Sequence, residues 1–333
     1  MTLPGGAGRT ADRSHIRRGV GFAASIKNLM YSDGFDDYAT ASCVLADGVA
    51  TLKFATAEVG QGFVTLAGQI ARSVLGVDEV VLDRIDTLIG SAGSTSASRQ
   101  TWMSGGAVKT ACDAVRVKLL AAVHEATGVP VERLAIDVDA IVDTAGAWRM
   151  PVAEFTTGRS FAATEVYRHP PTTGLDENGQ GDVHTAFAFA VHRAVVDVDV
   201  DLGLVRVVQV ATAQDVGIAL NPLSVVGQLE GGIAQGLGLA LMEEYVSGRT
   251  DNLHDYLIPT VGDMPHIVVH IVEDAEPLGP YGAKGVGEPA LIPTAPAILN
   301  AIRHATGARI THLPATPDRV LAALRQSGEA THD

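Results

Sequence analysis

Strand-like and helix-like segments follow one another along this chain without forming a regular βαβ repeat. Alternating apolar residues flank Asp47-Gly48, a dipeptide that is typical of a two-residue β-hairpin turn. Apolar residues at helical spacing predict a helix over residues 63–75, and a longer helix is predicted over residues 105–126, ended by Gly128. This irregular alternation predicts an α+β fold with mixed layers of sheet and helix.

One segment, residues 165–183, lacks apolar periodicity and is predicted to be a long loop, a feature that is often functional. Beyond it, strands are predicted over 186–200, 204–213 and 267–272, and helices over 221–245, 295–304 and 318–325. The predicted organisation is a flexible N-terminus over 1–16, a first α+β subdomain over 17–164, the loop over 165–183, a second α+β subdomain over 184–328 and a tail over 329–333.

The charge balance limits the possible partners. The chain of 333 residues has 24 Lys and Arg against 38 Asp and Glu, a formal net charge of −14. Nucleic-acid binding requires a basic face, so we expect no nucleic-acid partner. We also expect no membrane association, because no apolar run is long enough to span a bilayer, and the N-terminus has no apolar region typical of a secretory signal.

The two cysteines, Cys43 and Cys112, are isolated in the sequence and form no C-x-x-C pair. Iron–sulfur clusters are held by several cysteine thiolates, so we expect no cluster in this chain. Isolated cysteines are typical of buried thiols in a reducing compartment. The predicted location is the cytoplasm.

Gly60-Gln61-Gly62 lies between a predicted strand and the helix over residues 63–75. Backbone amides at the start of a helix favour an anionic ligand, and the Gln61 carboxamide can both donate to and accept from a heterocycle. A dinucleotide-binding loop would have a third glycine, which is missing here. A plain strand-to-helix turn is the alternative interpretation.

Residues 93–101 have the sequence G-S-T-S-A-S-R-Q-T, which concentrates small hydroxyl side chains in one short segment. A tight loop of this composition can present many hydrogen-bond donors to a ligand. The alternative interpretation is a solvated linker.

Residues 226–238 combine several glycines with Gln228 and Gln235, which lie seven residues apart and share a face if the segment is helical. Each glycine in a helix interior costs roughly 1 kcal/mol relative to alanine. A helix tolerates this cost when a ligand passes close to its backbone. Close helix–helix packing is the alternative.

Residues 282–290 hold a single carboxylate, Glu288, between a glycine-rich turn and Pro289. A residue before proline is restricted towards extended backbone geometry, so we expect Glu288 in an extended conformation. Such a restraint favours a positioned functional carboxylate, and a mobile surface glutamate is the alternative.

These four segments, in this order, resemble the second half of the molybdenum subunit in the xanthine dehydrogenase and aldehyde oxidase family. The likeness extends from about residue 18 to residue 324, and it is greatest with the bacterial xanthine dehydrogenases in which the molybdenum subunit is a separate chain. It implies two mixed sheet-and-helix subdomains of the molybdenum-cofactor-binding domain of that family. The matching segments are A-E-V-G-Q-G at 57–62, G-S-T-S-A-S-R-Q-T at 93–101, V-G-Q-L-E-G-G at 226–232 and A-K-G-V-G-E-P at 283–289.

The resemblance implies a molybdenum–molybdopterin cofactor in its cytosine dinucleotide form, with the metal held through the pterin dithiolene and not directly by a side chain. Glu288 matches the family's catalytic glutamate, which implies that it acts as the base that deprotonates the oxygen nucleophile. The positions implied to bind the cofactor are Gln61, Gly62, Ser96, Ala97, Ser98, Gln100, Gln228, Gln235 and Gly287.

The family's molybdenum subunit has a preceding half, and nothing in this sequence matches it. The resemblance implies that a separate chain or segment supplies that half, or that the product is truncated. It further implies an iron–sulfur subunit with 2Fe–2S clusters and an FAD subunit as partners. The expected reaction is hydroxylation of a purine, from hypoxanthine or xanthine to urate, with water as the oxygen source. The alternatives are hydroxylation of aldehydes or other N-heterocycles, and a non-catalytic remnant or assembly module.

Overall fold

The computed structural model describes residues 15–31, 34–86, 88–146 and 148–328. Residues 1–14 and 329–333, which make up most of the predicted N-terminus and the whole predicted tail, lie outside the described residues. The chain divides into two units, each with its own sheet and helices. They are the N-terminal unit (residues 28–186 and 275–285) and the C-terminal unit (residues 15–27, 187–274 and 286–328).

The described residues form strands and helices that alternate irregularly, as the sequence predicts. The strands are β1 (Ile16–Leu29), β2 (Tyr38–Ala46), β3 (Val49–Phe54), β4 (Glu79–Leu82), β5 (Leu134–Asp137), β6 (Ala140–Asp143), β7 (Arg149–Pro151), β8 (Ser160–Arg168), β9 (Ala186–Asp199), β10 (Val205–Asp215) and β11 (His266–Val272). The α-helices are α1 (Phe63–Leu75), α2 (Gln100–Thr127), α3 (Val152–Thr156), α4 (Pro222–Leu241), α5 (Gly287–Leu291), α6 (Thr294–Thr306) and α7 (Pro317–Gln326).

A four-stranded sheet with strand order β4-β3-β2-β8 forms the centre of the N-terminal unit. β2 pairs antiparallel with β3 and β8, and β4 runs parallel to β3. The predicted hairpin is confirmed, because Asp47-Gly48 joins β2 to β3 and Ala46 pairs with Val49. A smaller antiparallel sheet of β5, β6 and β7 lies in the same unit.

Helices α1 and α2 pack against each other in this unit. α1 has the predicted bounds, and Gly76 ends it with a left-handed backbone, φ 64°. α2 begins at Gln100, earlier than the predicted start at residue 105. The glycines near its start do not delimit the helix. Gly106 instead allows close packing on Tyr167, since an added Cβ would lie 2.8 Å from the ring carbons.

The C-terminal unit is built on a second four-stranded sheet, with strand order β1-β9-β10-β11. β9 and β10 are antiparallel, and β10 and β11 are parallel. Residues of α4, α6 and α7 share one core with this sheet, and each fully buried aliphatic side chain contributes roughly 1.5–3 kcal/mol to folding. That core includes Val196, Val210, Ile233, Leu237, Ile298 and Ile302.

Helix α4 starts where the Asn-Pro dipeptide predicts. Asn221 caps it by accepting a hydrogen bond from the N–H of Ser224 at 3.0 Å. The helix ends at Leu241, before the predicted end at residue 245, because the N–H of Glu243 bonds to the carbonyl of Gly238, which the N–H of Met242 already binds, and not to the carbonyl four residues before it. None of the helices in the described ranges combines the length and apolar character that a membrane crossing requires.

The two units are not contiguous in sequence, which differs from the predicted division at 165–183. Residues 16–27 belong to the C-terminal unit, because β1 lies beside β9 in its sheet. Residues 275–285 belong to the N-terminal unit, where Gly279 lies against the ring of Trp102. The predicted loop is also shorter, since residues 165–168 continue β8. Hydrophobic periodicity is a local signal and does not report such long-range pairing.

Candidate functional site

Glu288 lies in the first turn of α5, so the expectation of an extended backbone is wrong. The steric preference of a residue before proline is overridden here, because Pro289 and Ala290 are buried in the C-terminal unit. A proline is tolerated in a first helical turn, since its missing N–H is among the four that have no partner inside a helix. The side chain of Glu288 is 40% exposed, so its carboxylate is accessible.

Lys27, near the end of β1, is a charged neighbour of Glu288. Its Nζ lies 3.1 Å from Glu288 Oε2, and 17% of the Lys27 side chain is exposed. Reasoning from the sequence missed Lys27, because it lies on a strand far along the chain from the glutamate. The one local signal is that Lys27 is the single charged residue in the strand end A-S-I-K-N-L at 24–29.

The segment that precedes Glu288 is held against the sheet and against α4. Gln214 on β10 is fully buried, and its Nε2 donates to the carbonyl of Val286 at 2.9 Å. Gly287 lies beside Gln228 on α4, since an added Cβ would lie 3.7 Å from Gln228 Oε1. The structure therefore brings Gln228, Gly287 and Glu288 together in the C-terminal unit.

Gln235 does not join this group. It follows Gln228 by two helical turns, about 11 Å along the helix axis, and it is exposed. Gly227 and Gly231 on the same helix are also open, with no heavy atom within 4 Å of an added Cβ apart from the helix's own backbone. This face of α4 is accessible along its length.

Two other glycines of α4 serve helix packing. An added Cβ at Gly232 would lie 2.7 Å from the Cβ of Ala290 on α5, and one at Gly236 would lie 2.4 Å from the Cβ of Thr294 on α6. The packing alternative is therefore confirmed for Gly232 and Gly236. Their absent side chains let α5, and with it Glu288, approach α4 closely.

Replacing Gly236 with alanine is expected to lower the free energy of unfolding by about 1–3 kcal/mol, because the added methyl group would overlap the Thr294 side chain. Gly231→Ala is the matched control on the same helix. It should raise the free energy of unfolding by about 0.5–1 kcal/mol, since its position is open and alanine favours a helix. Urea unfolding measures both changes, and stabilisation by Gly236→Ala would contradict this packing.

Thr294 links α5 and α6 to the sheet. Its Oγ1 donates to the carbonyl of Ala290 at 3.0 Å and lies 3.0 Å from Nδ1 of His192 on β9. Burial lowers the pKa of His192 to about 4, so its imidazole is neutral at neutral pH. His192 therefore acts in the structure as a neutral hydrogen-bonding group beneath α5 and α6.

In the N-terminal unit, the backbone amides at the start of α1 already bind a carboxylate of this chain. Glu58 accepts hydrogen bonds from the N–H groups of Gly60, Gly62 and Val64 at 2.8, 3.0 and 3.0 Å. Burial raises the pKa of Glu58, but the backbone donors outweigh burial and hold that pKa below its usual value. The amides on which the sequence predicts an anionic ligand are thus occupied by Glu58.

Gln61 folds its side chain back onto its own loop. Its Nε2 donates to the carbonyl of Ala57 at 2.8 Å, and its Oε1 accepts from the N–H of Val59 at 2.7 Å. A carboxamide has two donors and two acceptor lone pairs, so each end keeps capacity for one more hydrogen bond. Thr95 also donates to the Ala57 carbonyl, at 3.2 Å, which brings Gln61 close to residues 94–98, here named the hydroxyl loop.

The hydroxyl loop is ordered by hydrogen bonds and has an unusual backbone. Ser96 Oγ lies 2.6 Å from Ser94 Oγ and 2.6 Å from the Tyr31 hydroxyl. Ala97 and Ser98 have left-handed φ angles of 53° and 46°. Such a conformation costs a non-glycine residue on the order of 1–3 kcal/mol and persists only when its surroundings impose it. The solvated-linker alternative does not fit this structure.

Gly285 packs directly against the hydroxyl loop. An added Cβ at this position would lie 1.7 Å from the carbonyl oxygen of Ser98 and 2.8 Å from its Cβ. A side chain at residue 285 would therefore displace the loop backbone. The glycine preceding Val286 in the A-K-G-V-G-E-P segment is required by this contact.

Arg99 is the buried residue that anchors the hydroxyl loop. Its Nη1 donates to the carbonyls of Ala92 and Ser94 at 2.5 and 3.2 Å. Its Nε donates to the carboxylate of Asp37 at 3.1 Å, its Nη2 binds the same carboxylate, and both side chains are almost completely buried. Arg99 was not among the residues predicted from the sequence, because that prediction rested on the hydroxyl side chains of residues 93–101. The available signal was that Arg99 is the one charged residue in 93–101.

Gln100, the first residue of α2, is buried beside the hydroxyl loop. Its Nε2 donates to Thr95 Oγ1 at 3.0 Å, and its Oε1 accepts from the Ser104 hydroxyl at 2.8 Å. The structure therefore brings the predicted residues 96–98 together with Gln100, and Thr95 connects them to Gln61. The result is a dense polar cluster on a constrained backbone.

Comparison with known proteins finds a matching family model and a set of relatives. Residues 6–265 match the model described as a molybdopterin cofactor-binding domain. The xanthine dehydrogenase molybdenum-binding subunit of Escherichia coli O157:H7 is 31% identical over 329 residues, which cover 95% of this chain and 43% of that protein. The nicotine 6-hydroxylase large subunit of Paenarthrobacter nicotinovorans is 30% identical over 312 residues, which cover 88% of this chain and 37% of that protein.

A solved structure shares the fold along almost the whole chain. The crystal structure of quinoline 2-oxidoreductase from Pseudomonas putida 86 matches 94% of this chain and 42% of its own, with a TM-score of 0.82 and 26% identity. The predicted fold class is confirmed by this match. The chain spans less than half the length of each of these three relatives.

Proposed function

This chain belongs to the family of molybdopterin cofactor-binding domains, and we propose that it is the cofactor-holding part of the molybdenum subunit of a molybdenum hydroxylase. The family match and the relatives named xanthine dehydrogenase and nicotine 6-hydroxylase support this proposal. Because the chain spans 43% and 37% of those relatives, activity would belong to a complex in which another chain or segment supplies the remainder.

We propose a separate set of candidate cofactor contacts within each unit. In the N-terminal unit, the left-handed backbone at Ala97 and Ser98 fits a site that positions a polar ligand. In the C-terminal unit, the buried Oε1 of Gln214 has no hydrogen-bond partner among the described residues. Leaving such an oxygen unpaired costs roughly 1–3 kcal/mol. The proposed contacts are Gln61, Gly62, Ser96, Ala97, Ser98 and Gln100 in the N-terminal unit, and Gln228, Gln235 and Gly287 in the C-terminal unit.

The proposed contacts differ in the hydrogen-bond donors and acceptors that remain available to the cofactor. Gln61 keeps one donor and one acceptor, whereas the N–H of Gly62 already binds Glu58, so Gly62 would act by allowing close approach. When bound, a molybdopterin cofactor, proposed in its cytosine dinucleotide form, supplies a metal that activates water and accepts two electrons. The protein supplies position, hydrogen bonds and a base.

Glu288 would be that base. The observation that carries the proposal is its placement, a partly exposed carboxylate in the first turn of α5 beside Gln228 and Gly287. An ionised carboxylate only accepts hydrogen bonds, so it can take a proton from the attacking oxygen. The bond from Gln214 to the Val286 carbonyl restrains the preceding segment, so the carboxylate is positioned before the substrate arrives.

The proposed substrate is a purine, hypoxanthine or xanthine, with aldehydes and other N-heterocycles as alternatives. Iron–sulfur and FAD subunits would take the electrons. The two cysteines of this sequence are both buried, and they do not provide the several thiolates that a cluster needs. The complex is proposed to act in the cytoplasm.

Purification of the tagged chain with its native partners tests this proposal. We expect molybdenum and a cytosine-containing pterin nucleotide in stoichiometric amounts, together with iron and flavin, and turnover of hypoxanthine or xanthine. A stable complex without molybdenum and pterin would contradict the proposal and favour a non-catalytic assembly role. Turnover of an aldehyde without turnover of a purine would keep the reaction class and change the substrate.

A further inference from the structure

The ion pair between Lys27 and Glu288 lies within the C-terminal unit and involves an unusually enclosed lysine. Lys27 Nζ lies 3.1 Å from Glu288 Oε2, and the lysine side chain is 17% exposed against 40% for the glutamate. Lysine is among the residues that are least often buried, and burial of its charge is offset when a partner of opposite charge is near. The ammonium is therefore directed at the carboxylate while most of its stem is covered.

The backbones that carry this pair are restrained separately. Lys27 lies on β1, which is hydrogen-bonded to β9 in the sheet of the C-terminal unit. On the other side, Gln214 holds the carbonyl of Val286. An exposed ion pair contributes roughly 0–1 kcal/mol, partly because two mobile side chains lose entropy. A covered stem and restrained backbones reduce that loss, so this pair can define the position of one carboxylate oxygen.

We propose that Lys27 is a positioning residue that fixes the orientation of the Glu288 carboxylate for proton transfer. The inference rests on the proposed function, in which Glu288 is the base. A carboxylate has about four acceptor sites on its two oxygens, so an ion pair through Oε2 does not exhaust its capacity to accept a proton. Misplacement of a reacting group by about 1 Å can lower a rate by about 10²-fold, and the ammonium of Lys27 limits such misplacement.

The first test compares Lys27→Met and Lys27→Arg in the assembled complex. Methionine keeps an unbranched stem and removes the ammonium, whereas arginine keeps the charge and the N–H donors. Lys27→Met is expected to lower kcat by about 10–100-fold, to change KM less than about threefold, and to leave molybdenum per protein unchanged. Lys27→Arg should recover most of kcat. Lys109→Met, which breaks an ion pair with Asp113 in the N-terminal unit, is the matched control and should keep the wild-type kcat.

The second test has two readouts, and one of them does not require turnover. A double-mutant cycle of Lys27→Met and Glu288→Gln, measured by urea unfolding of the full chain, should show non-additive shifts of the unfolding midpoint. In single-turnover reduction of the complex, Lys27→Met should cause little further loss in the Glu288→Gln background, because the residue acts through the glutamate. A purely structural role would lower the rate in both backgrounds.

The outcomes separate this inference from the proposed function. If Glu288→Gln abolishes turnover while Lys27→Met keeps the wild-type kcat, Lys27 is not a positioning residue and the base assignment stands. If Glu288→Gln keeps turnover, both proposals fail. If Lys27→Met loses molybdenum in parallel with activity, or unfolds the chain, Lys27 is structural and the inference is overturned.

Discussion

Glu288→Gln is expected to lower turnover per bound molybdenum by about 10²–10⁴-fold, the range typical for loss of a general base. Glutamine has nearly the same shape, but its amide cannot take up the proton of the nucleophile. Folding should survive, because the Glu288 side chain is 40% exposed, the amide oxygen of glutamine can still accept a hydrogen bond from Lys27, and Pro289 and Ala290 remain buried in α5. The measurement is activity per molybdenum and molybdenum per protein in the assembled complex.

Gln228→Ala provides the contrast for this experiment. Gln228 lies beside Gly287 and is a proposed cofactor contact, so its loss should lower molybdenum content and activity in parallel. Activity per molybdenum should stay near that of the wild type. A Glu288→Gln variant with near wild-type activity per molybdenum would exclude the base assignment, and the G-V-G-E-P segment would then be structural.

Arg99→Met is expected to lower the free energy of unfolding by about 3–5 kcal/mol, the typical effect of removing one partner from a buried ion pair. The substitution leaves the Asp37 carboxylate buried without its guanidinium and removes the donors that bind the carbonyls of Ala92 and Ser94. Ser94 belongs to the hydroxyl loop and Ala92 lies two residues before it. Loss of both hydrogen bonds should loosen the loop, so molybdenum retention in the complex should fall as well. Urea unfolding of the chain gives the stability change.

Arg133→Met is the matched control in the same unit. Arg133 pairs with Asp143, whose side chain is 7% exposed, but the arginine side chain is 45% exposed and in contact with water, so the loss should be smaller than that of Arg99→Met, in which both partners are buried. Arg99→Lys adds a further comparison, because a single ammonium cannot reproduce the planar fork that binds one carboxylate and several carbonyls. Equal losses for Arg99→Met and Arg133→Met would contradict the anchoring role assigned to Arg99.

Much of the local structure was predictable, because its causes act over a few neighbouring residues. Asp47-Gly48 specifies a hairpin through its turn geometry, and α1 has its predicted bounds because a helical apolar period ends at Gly76. The motifs were recognisable for the same reason, since each concentrates its chemistry in a short run. Gln228, Gly287 and Glu288, singled out in two separate motifs, do lie together in the structure.

Other features depended on contacts between residues that are distant in the chain. Lys27 reaches Glu288 because β1 joins the sheet of the C-terminal unit, and Arg99 is buried because Asp37 lies beside it in the folded N-terminal unit. Glu58 is an example over a shorter distance. In the folded loop this side chain accepts hydrogen bonds from the N–H groups that lead into α1.

The local sequence of this chain determines where turns form, where helices have their apolar period and which reactive side chains are available. The assignment of β1 and of residues 275–285 to their units, and the helical conformation of Glu288, followed from packing. The physical reason is one of magnitude. A backbone or propensity preference is typically about 1 kcal/mol or less per residue, whereas burying one aliphatic side chain contributes roughly 1.5–3 kcal/mol. Where many such contacts act together, they override the local preference, and they involve residues that no short window of sequence contains.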